Sequence, residues 1–291
     1  MNGAQSVDRP GGVWFITGAS SGFGRALAEA AVAAGDRVVA AARRPQALSE
    51  LVATAPDRLT AVQLDVTRPE RVEQAVAETV ARHGRIDVLV NNAGRGQVGA
   101  VEETTDAELR DLLEVHVFGP AALTRAVLPH MRARRSGAIV QMSSFGGQVA
   151  YPGFSAYCAT KFALEGFSEA LAAEVAPFGI KVLIVEPGAF RTSFSGGALY
   201  ESAAMPEYQE TVGGTRTYVK GVDGTQPGDP AKAAQAIRRA LAAGDTPLRL
   251  PLGDDAVDGI RTHLDQVRTE IEQWETVARA TTFAETTAGN A

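Results

Sequence analysis

Tyr157 and Lys161 lie four residues apart near the start of a stretch, 156–176, whose pattern predicts a helix, so their side chains emerge on one face as neighbours. An ammonium beside a phenol favours the phenolate and lowers a pKa that is about 10 when unperturbed. Tyr157 is therefore a candidate general acid or base. Ser143 and Ser144 close the apolar run before that helix, where a hydroxyl can hydrogen-bond a substrate oxygen shared with the phenol. A Y-x-x-x-K spacing alone also fits a structural pair, so a second site has to arbitrate. Thr17-Gly18-Ala19-Ser20-Ser21-Gly22-Phe23-Gly24 follows directly on the apolar run Val13-Trp14-Phe15-Ile16. Glycines at such a turn let the backbone approach a phosphate while free helix-terminal N–H groups and the positive dipole end face the anion. Between its first two glycines stand three residues, against one in the G-x-G-x-x-G dinucleotide fingerprint. A tight turn without a ligand is the alternative.

Positioning these groups requires a scaffold, and the chain alternates short apolar runs with longer amphipathic ones, as a parallel sheet flanked by helices demands. Strands are predicted at 13–17, 37–42, 59–65, 86–91, 138–143 and 181–186, with helices at 23–34, 69–83, 106–133 and 156–176. Gly35, Gly84 and Gly179 stand where helices should stop. Right-handed crossovers make this an α/β, doubly wound, Rossmann-type parallel sheet with helices on both faces and the ligand beyond the carboxyl ends of the strands. Segment 194–228, rich in Gly, Thr, Tyr and Glu, reads as a mobile substrate cover. Asp229-Pro230 opens a helix to about 243, and 254–279 forms an additional C-terminal helix packing on the domain or a neighbouring subunit. The expected organisation is a flexible tail at 1–11, one catalytic domain at 12–280 and a flexible tail at 281–291.

Composition narrows the partners. The 291 residues are 45% hydrophobic and 21% charged, with a net charge of −6, which suits a globular chain and disfavours nucleic acid. A single cysteine, Cys158, excludes an internal disulfide and a cysteine-rich zinc site, and no His, Cys or acidic spacing points to a metal. No apolar run is long enough to span a bilayer and the amino terminus lacks a signal pattern, so the expected location is cytoplasmic.

Six motifs fall in order between Gly12 and Thr192: the 17–24 glycine stretch, Asp65-Val66, Asn91-Asn92-Ala93-Gly94, Ser144, Tyr157-Cys158-Ala159-Thr160-Lys161, and Pro187-Gly188-Ala189-Phe190-Arg191-Thr192. In this combination the sequence resembles the short-chain dehydrogenase/reductase family in its single-domain form. The resemblance implies roles by position. Ser144, at the family's spacing before Tyr157, would orient a carbonyl or alcohol; Tyr157 would transfer the proton; Lys161 would bind the nicotinamide ribose and tune the tyrosine. Gly18, Ser20, Ser21, Gly22, Phe23 and Gly24 would form the phosphate turn, and Asp65 with the Val66 amide would hold the adenine. Asn92, Ala93 and Gly94 would line the adenosine side and brace the sheet. Pro187, Gly188, Phe190 and Thr192 would lie along the nicotinamide, with Thr192 and the backbone near Phe190 on its carboxamide. His116 stands where the family usually has an asparagine whose main-chain carbonyl holds a relay water; the imidazole either reshapes that relay or is a tolerated packing group. Relatives commonly associate through helices corresponding to 106–133 and 156–176, which implies a homodimer or homotetramer.

The second strand ends Ala40-Ala41-Ala42-Arg43-Arg44, with no acid to accept a ribose 2′-hydroxyl. Guanidinium groups suit a 2′-phosphate. NADP(H) is therefore expected over NAD(H), with Arg43 as the first contact and Arg44 either a second contact or turned to solvent; the alternative is that one or both arginines only solvate a surface turn. Phe145, Val149, Phe154 and Phe194, together with Tyr151, Phe190, Tyr200, Met205 and Tyr208, predict a mainly apolar small-molecule pocket. The leading expectation is an oxidoreductase interconverting a carbonyl and an alcohol. Its rivals are a non-redox enzyme of this fold (epimerase, dehydratase or cyclase) using His116 as an extra acid or base, and a catalytically silent nucleotide-binding protein.

Overall fold

The computed structural model describes residues 11–283. Its elements, in chain order, are β1 (Val13–Thr17), α1 (Gly22–Ala33), β2 (Arg37–Ala42), α2 (Ser49–Thr54), β3 (Leu59–Gln63), α3 (Pro69–His83), β4 (Val88–Asn91), β5 (Gly96–Val98), α4 (Asp106–Leu113), α5 (Gly119–Arg134), β6 (Gly137–Met142), α6 (Ser155–Val175), β7 (Ile180–Pro187), β8 (Leu199–Glu201), α7 (Gln209–Gly221), α8 (Pro230–Ala242), β9 (Arg249–Leu252) and α9 (Asp254–Arg279). Seven strands pair in the order β3-β2-β1-β4-β6-β7-β9, every pair parallel. β5 and β8 form a separate parallel pair.

All of β1, β4 and β6 is buried, which is why these segments read as unbroken apolar runs rather than alternating ones. One face of the sheet packs Ile16, Leu27, Val38, Val90, Val140 and Ile237; the other packs Phe15, Leu89, Leu123, Ile139 and Val182. Each fully buried side chain of this size contributes about 1.5–3 kcal/mol. Gly35, Gly84 and Gly179 adopt φ of +92°, +76° and +67° as helices end, a region that favours glycine. The chain enters the sheet at its centre, runs outward through β2 and β3, and crosses back to β4. This leaves a crevice at the carboxyl ends of β1 and β4.

Besides the short α2 and β5, which the apolar periodicity does not predict, four regions differ from expectation. The stretch 106–133 is not one α-helix: a π-helical turn, Glu114–Phe118, separates α4 from α5, and the Gly119-Pro120 pair follows it. Strand β9 carries Pro251, tolerated because β9 is an edge strand, and this proline hides it from a strand search. Segment 194–228 holds β8 and the 13-residue helix α7, whose adjacent Gly213 and Gly214 weaken the helical pattern. Helix α9 packs on the body only through its first turns, where Ala256 and Ile260 are buried. Of the predicted tails, 1–10 and 284–291 lie outside the described residues.

Candidate active site

The glycine turn between β1 and α1 is fixed from β4. Thr17 Oγ1 accepts the N–H groups of Asn92 and Ala93 at 2.9 and 3.0 Å and donates to the Val90 carbonyl. Asn92 Nδ2 donates back to the carbonyls of Thr17 and Gly18. Gly18 has φ +64°, and a Cβ there would lie 2.9 Å from Asn92 Nδ2; a Cβ on Gly24 would overlap the Gly18 carbonyl oxygen. The loop is thus held so close that only glycine fits. No acidic residue occupies the first turn of α1 and the Ser21 side chain does not cap it, so its N–H groups open on the crevice. This is the donor set a pyrophosphate needs.

The crevice is a cavity of about 1720 Å³ running from this turn to α7 and the start of α9. Its lining brings together Gly18, Ser20, Ser21, Gly22, Phe23, Arg43, Arg44, Asp65, Val66, Asn92, Ala93, Gly94, His116, Ser144, Phe145, Val149, Phe154, Tyr157, Lys161, Pro187, Gly188, Phe190, Thr192 and Phe194. Gly24 lies behind the turn, while Met205 and Tyr208 do not line the cavity. Tyr208 instead donates its hydroxyl to Glu102, and the Met205 amide donates to Glu103. Asp65 Oδ1 accepts the Thr67 N–H and hydroxyl, fixing the carboxylate at the rim, where Arg43 and Arg44 are exposed. Sequence reasoning missed Tyr218 and Val219 on α7, Val222 just past its end, and Asp255, which accepts the Ala189 N–H at 2.7 Å. A side chain on Gly188 would overlap that carboxylate.

At the inner end, α6 presents Tyr157 and Lys161 from one face, both buried. Lys161 Nζ donates to the Met142 carbonyl at 2.8 Å, anchoring the ammonium to the end of β6. Burial lowers Lys161 to about 8, opposed by the Glu165 carboxylate. Burial also raises the Tyr157 phenol above its ordinary value, only partly offset by the hydrogen bond from Ser144. The expected depression of Tyr157 by its neighbouring ammonium is therefore reversed, because desolvation of the phenolate is the larger effect. Of the two serines, Ser144 stands beside the phenol. Ser143 Oγ instead sits with Glu165 behind Gly147, where an added Cβ would lie 2.5 Å from the hydroxyl and 3.0 Å from Glu165 Oε1. Phe154 and Phe194 pack edge-on to Tyr157 with centroids 5.8 and 5.5 Å away, and Tyr151 bridges Phe154 to Phe145. These rings exclude water from one side of the phenol.

His116 projects from the π-helical turn and is 1% exposed. Its Nε2 accepts the Arg95 N–H at 3.2 Å, which assigns the ring proton to Nδ1; Nδ1 lies 2.8 Å from Thr160 Oγ1. Thr160 in turn donates to the Tyr157 carbonyl at 2.7 Å. Both nitrogens are engaged, and burial with Lys161 and Arg95 nearby drives the imidazole well below its usual pKa. The ring thus ties the 94–95 turn to α6, packed edge-on against Tyr157 at 5.6 Å.

Behind Lys161 lies a buried cluster that no local spacing announces. Glu186 on β7 is fully buried and accepts from Gln148; Arg249 on β9 reaches Glu165 at 3.2 Å, Glu186 at 3.5 Å and Glu169 at 2.7 Å. Burial pushes Glu186 up to about 7 and raises Glu165 too, so the pair holds a proton near neutrality.

Comparison with known proteins agrees with this geometry. The family model described as short chain dehydrogenase matches residues 12–200. The chain is 39% identical over 269 residues to "Oxidoreductase BOA17" of Botryotinia fuckeliana, covering 92% of this chain and 98% of that one. It superposes on the crystal structure of a short-chain dehydrogenase from Streptomyces avermitilis with a TM-score of 0.90 at 64% identity, covering 94% and 98% of the two chains. A metagenomic short-chain oxidoreductase crystallised with NADP is 26% identical with a TM-score of 0.67, covering 84% and 98%. Other neighbours of the fold carry NAD or NADH.

Proposed function

This chain belongs to the short chain dehydrogenase family, and from that premise we propose that it is an NADP(H)-dependent oxidoreductase interconverting a carbonyl and an alcohol on a mainly apolar small molecule. One observation carries the reading: Ser144, Tyr157 and Lys161 meet at the inner end of a cavity whose outer end is an uncapped helix terminus behind a glycine turn. A nicotinamide bound in that cavity supplies or accepts the hydride.

The chain's own residues do the rest. The α1 N–H groups and Ser20 to Gly22 face the pyrophosphate, Asp65 and Val66 the adenine, and Thr192 with the Phe190 backbone the carboxamide. Arg43 and, beside it, Arg44 face a 2′-phosphate from the rim, and no acid at that turn repels it. Lys161 holds the ribose hydroxyls. Ser144 and Tyr157 Oη share the substrate oxygen, and Tyr157 gives it a proton in reduction or takes one in oxidation. A phenol raised by burial is fully protonated at neutral pH, as reduction requires. Phe145, Val149, Phe154 and Phe194, joined by α7, favour an apolar substrate body. Both His116 nitrogens are occupied, which speaks against its use as a further acid or base. The single buried Cys158 fits a reducing compartment, the cytoplasm, and the family's habit of association fits a homodimer or homotetramer.

The test is a panel of carbonyls and alcohols assayed with both cofactors, with Tyr157→Phe as control. Expected is NADPH oxidation coupled to alcohol formation from apolar ketones or aldehydes. Tyr157→Phe should lower kcat by a factor of ~100 or more while NADPH titration is unchanged. Product formation without net change in NADPH absorbance, or full turnover by the variant, would overturn the reading.

A further inference from the structure

Residues Val257, Ile260, Leu264, Val267, Ile271, Trp274 and Ala278 of α9 recur at alternating intervals of three and four. That period of 3.5 marks a seam between two helices, narrower than the stripe a helix lays on a globular core. The body accounts for only the start of it. Ile260 is buried, but every described residue from Leu264 onward is exposed, with Leu264 at 53%, Ile271 at 63% and Trp274 at 65%. An arm of about 27 Å from Ile260 to Ala278, at 1.5 Å per residue, thus presents an unpaired apolar seam.

Charge indicates what covers it. The helices that lie on lipid carry Lys and Arg on their polar face. Here Asp265, Glu270, Glu272 and Glu275 stand against Arg261, Arg268 and Arg279, a slightly acidic balance rather than the basic face that anionic lipid attracts. The flanks are instead self-complementary. If a second copy runs antiparallel about a two-fold axis near Thr269, Leu264 meets the partner's Trp274, Val267 the partner's Ile271 and Ile260 the partner's Ala278. In that register Arg261 faces the partner's Glu275, which also pairs with Arg279 of its own helix at 2.7 Å, and this contact occurs twice by symmetry, against a single like-charge contact of Glu270 with the partner's Glu270 at the axis. Arg268, near the axis, is already neutralised within its own helix by Asp265 at 3.2 Å and Glu272 at 3.9 Å. A parallel pairing would set Glu270 against the partner's Glu275 with no compensating contact. We propose that the 261–279 arm is the interface to a second copy of this chain, joined as an antiparallel two-stranded coiled coil. It is a surface distinct from α4, α5 and α6.

Light scattering and sedimentation over a range of concentrations test this with the full-length protein. Leu264→Glu/Ile271→Glu should halve the wild-type mass while NADPH binding and the remaining helix content persist, since neither residue touches the cavity. Arg261→Glu should weaken the association by about tenfold, as two favourable exposed pairs become repulsive, and Arg261→Glu/Glu275→Arg should restore it. Trp14 is buried, so a blue shift of emission with concentration reports Trp274, and the shift should vanish in the Leu264→Glu/Ile271→Glu variant. An unchanged mass in that variant overturns the proposal, as does a double charge swap that fails to recover association. Co-sedimentation of the wild type with phosphatidylserine vesicles, lost in the same variant, would assign the seam to lipid and overturn it equally.

Discussion

At Tyr157, what the neighbours do to protonation matters more than their identity. The phenol, Lys161, His116, Glu165 and Glu186 all lie in one desolvated region, and burial is the largest cause of every shift among them. It moves acids up and bases down, so all drift toward neutral forms. Glu186 turns this into a stability effect. Its folded-state value of about 7 exceeds an unfolded carboxylate value of about 4.3, so the folded chain binds more protons between these limits. Stability from this group is complete below the lower limit and is lost as pH rises through the upper one. Thermal melts at pH 5.5 and 8 should show the wild type losing more stability across that interval than Glu186→Gln, which cannot ionise. Equal losses would mean that Arg249 and Gln148 compensate the ionised pair in full. The sequence shows Glu165 four residues after Lys161, yet Glu186 and Arg249 reach it from 21 and 84 positions away, so no local pattern announces the cluster.

At the scale of elements, the site depends on two joints. One is the β1–α1 turn clamped by Asn92, where the motif was legible because close backbone packing demands glycine at fixed offsets. Gly24→Ala would drive a methyl into the Gly18 carbonyl, and overpacking of this kind costs about 1–3 kcal/mol. The expected result is a lower Tm with NADPH binding weakened about tenfold or more, read by fluorescence titration; near-normal binding would show that the turn can move aside. The other joint is the π-helical turn Glu114–Phe118, which rotates His116 inward between α4 and α5. Apolar periodicity predicts one continuous helix there, because a π turn adds a single residue to the repeat and leaves both flanking patterns helical. Only the Arg95 and Thr160 bonds show where the imidazole points.

For the whole molecule, the sheet order places the glycine turn, Asn92, Ser144 and the 187–194 segment at the same edge, so a cofactor filling that cavity would touch most of the fold at once. A ligand selective for the folded state at a hundred times its Kd adds about 2.7 kcal/mol, which for a chain of this size raises Tm by roughly 5–10 °C. NADPH should produce that rise, NADH at equal concentration a smaller one, and Arg43→Ala should erase the difference. A larger rise with NADH would reverse the cofactor assignment.

Several features were readable from sequence because their causes are local: buried parallel strands must be continuous apolar runs, close turns must be glycine, and a phenol and an ammonium that share one helix face must be three or four residues apart. The tertiary structure alone decided that desolvation outweighs the ammonium at Tyr157, that α7 rather than a loop closes the pocket, and that α9 leaves the body after Ile260. Each of these depends on groups distant in the chain and on how much water they exclude together. Neither is a property of any one segment.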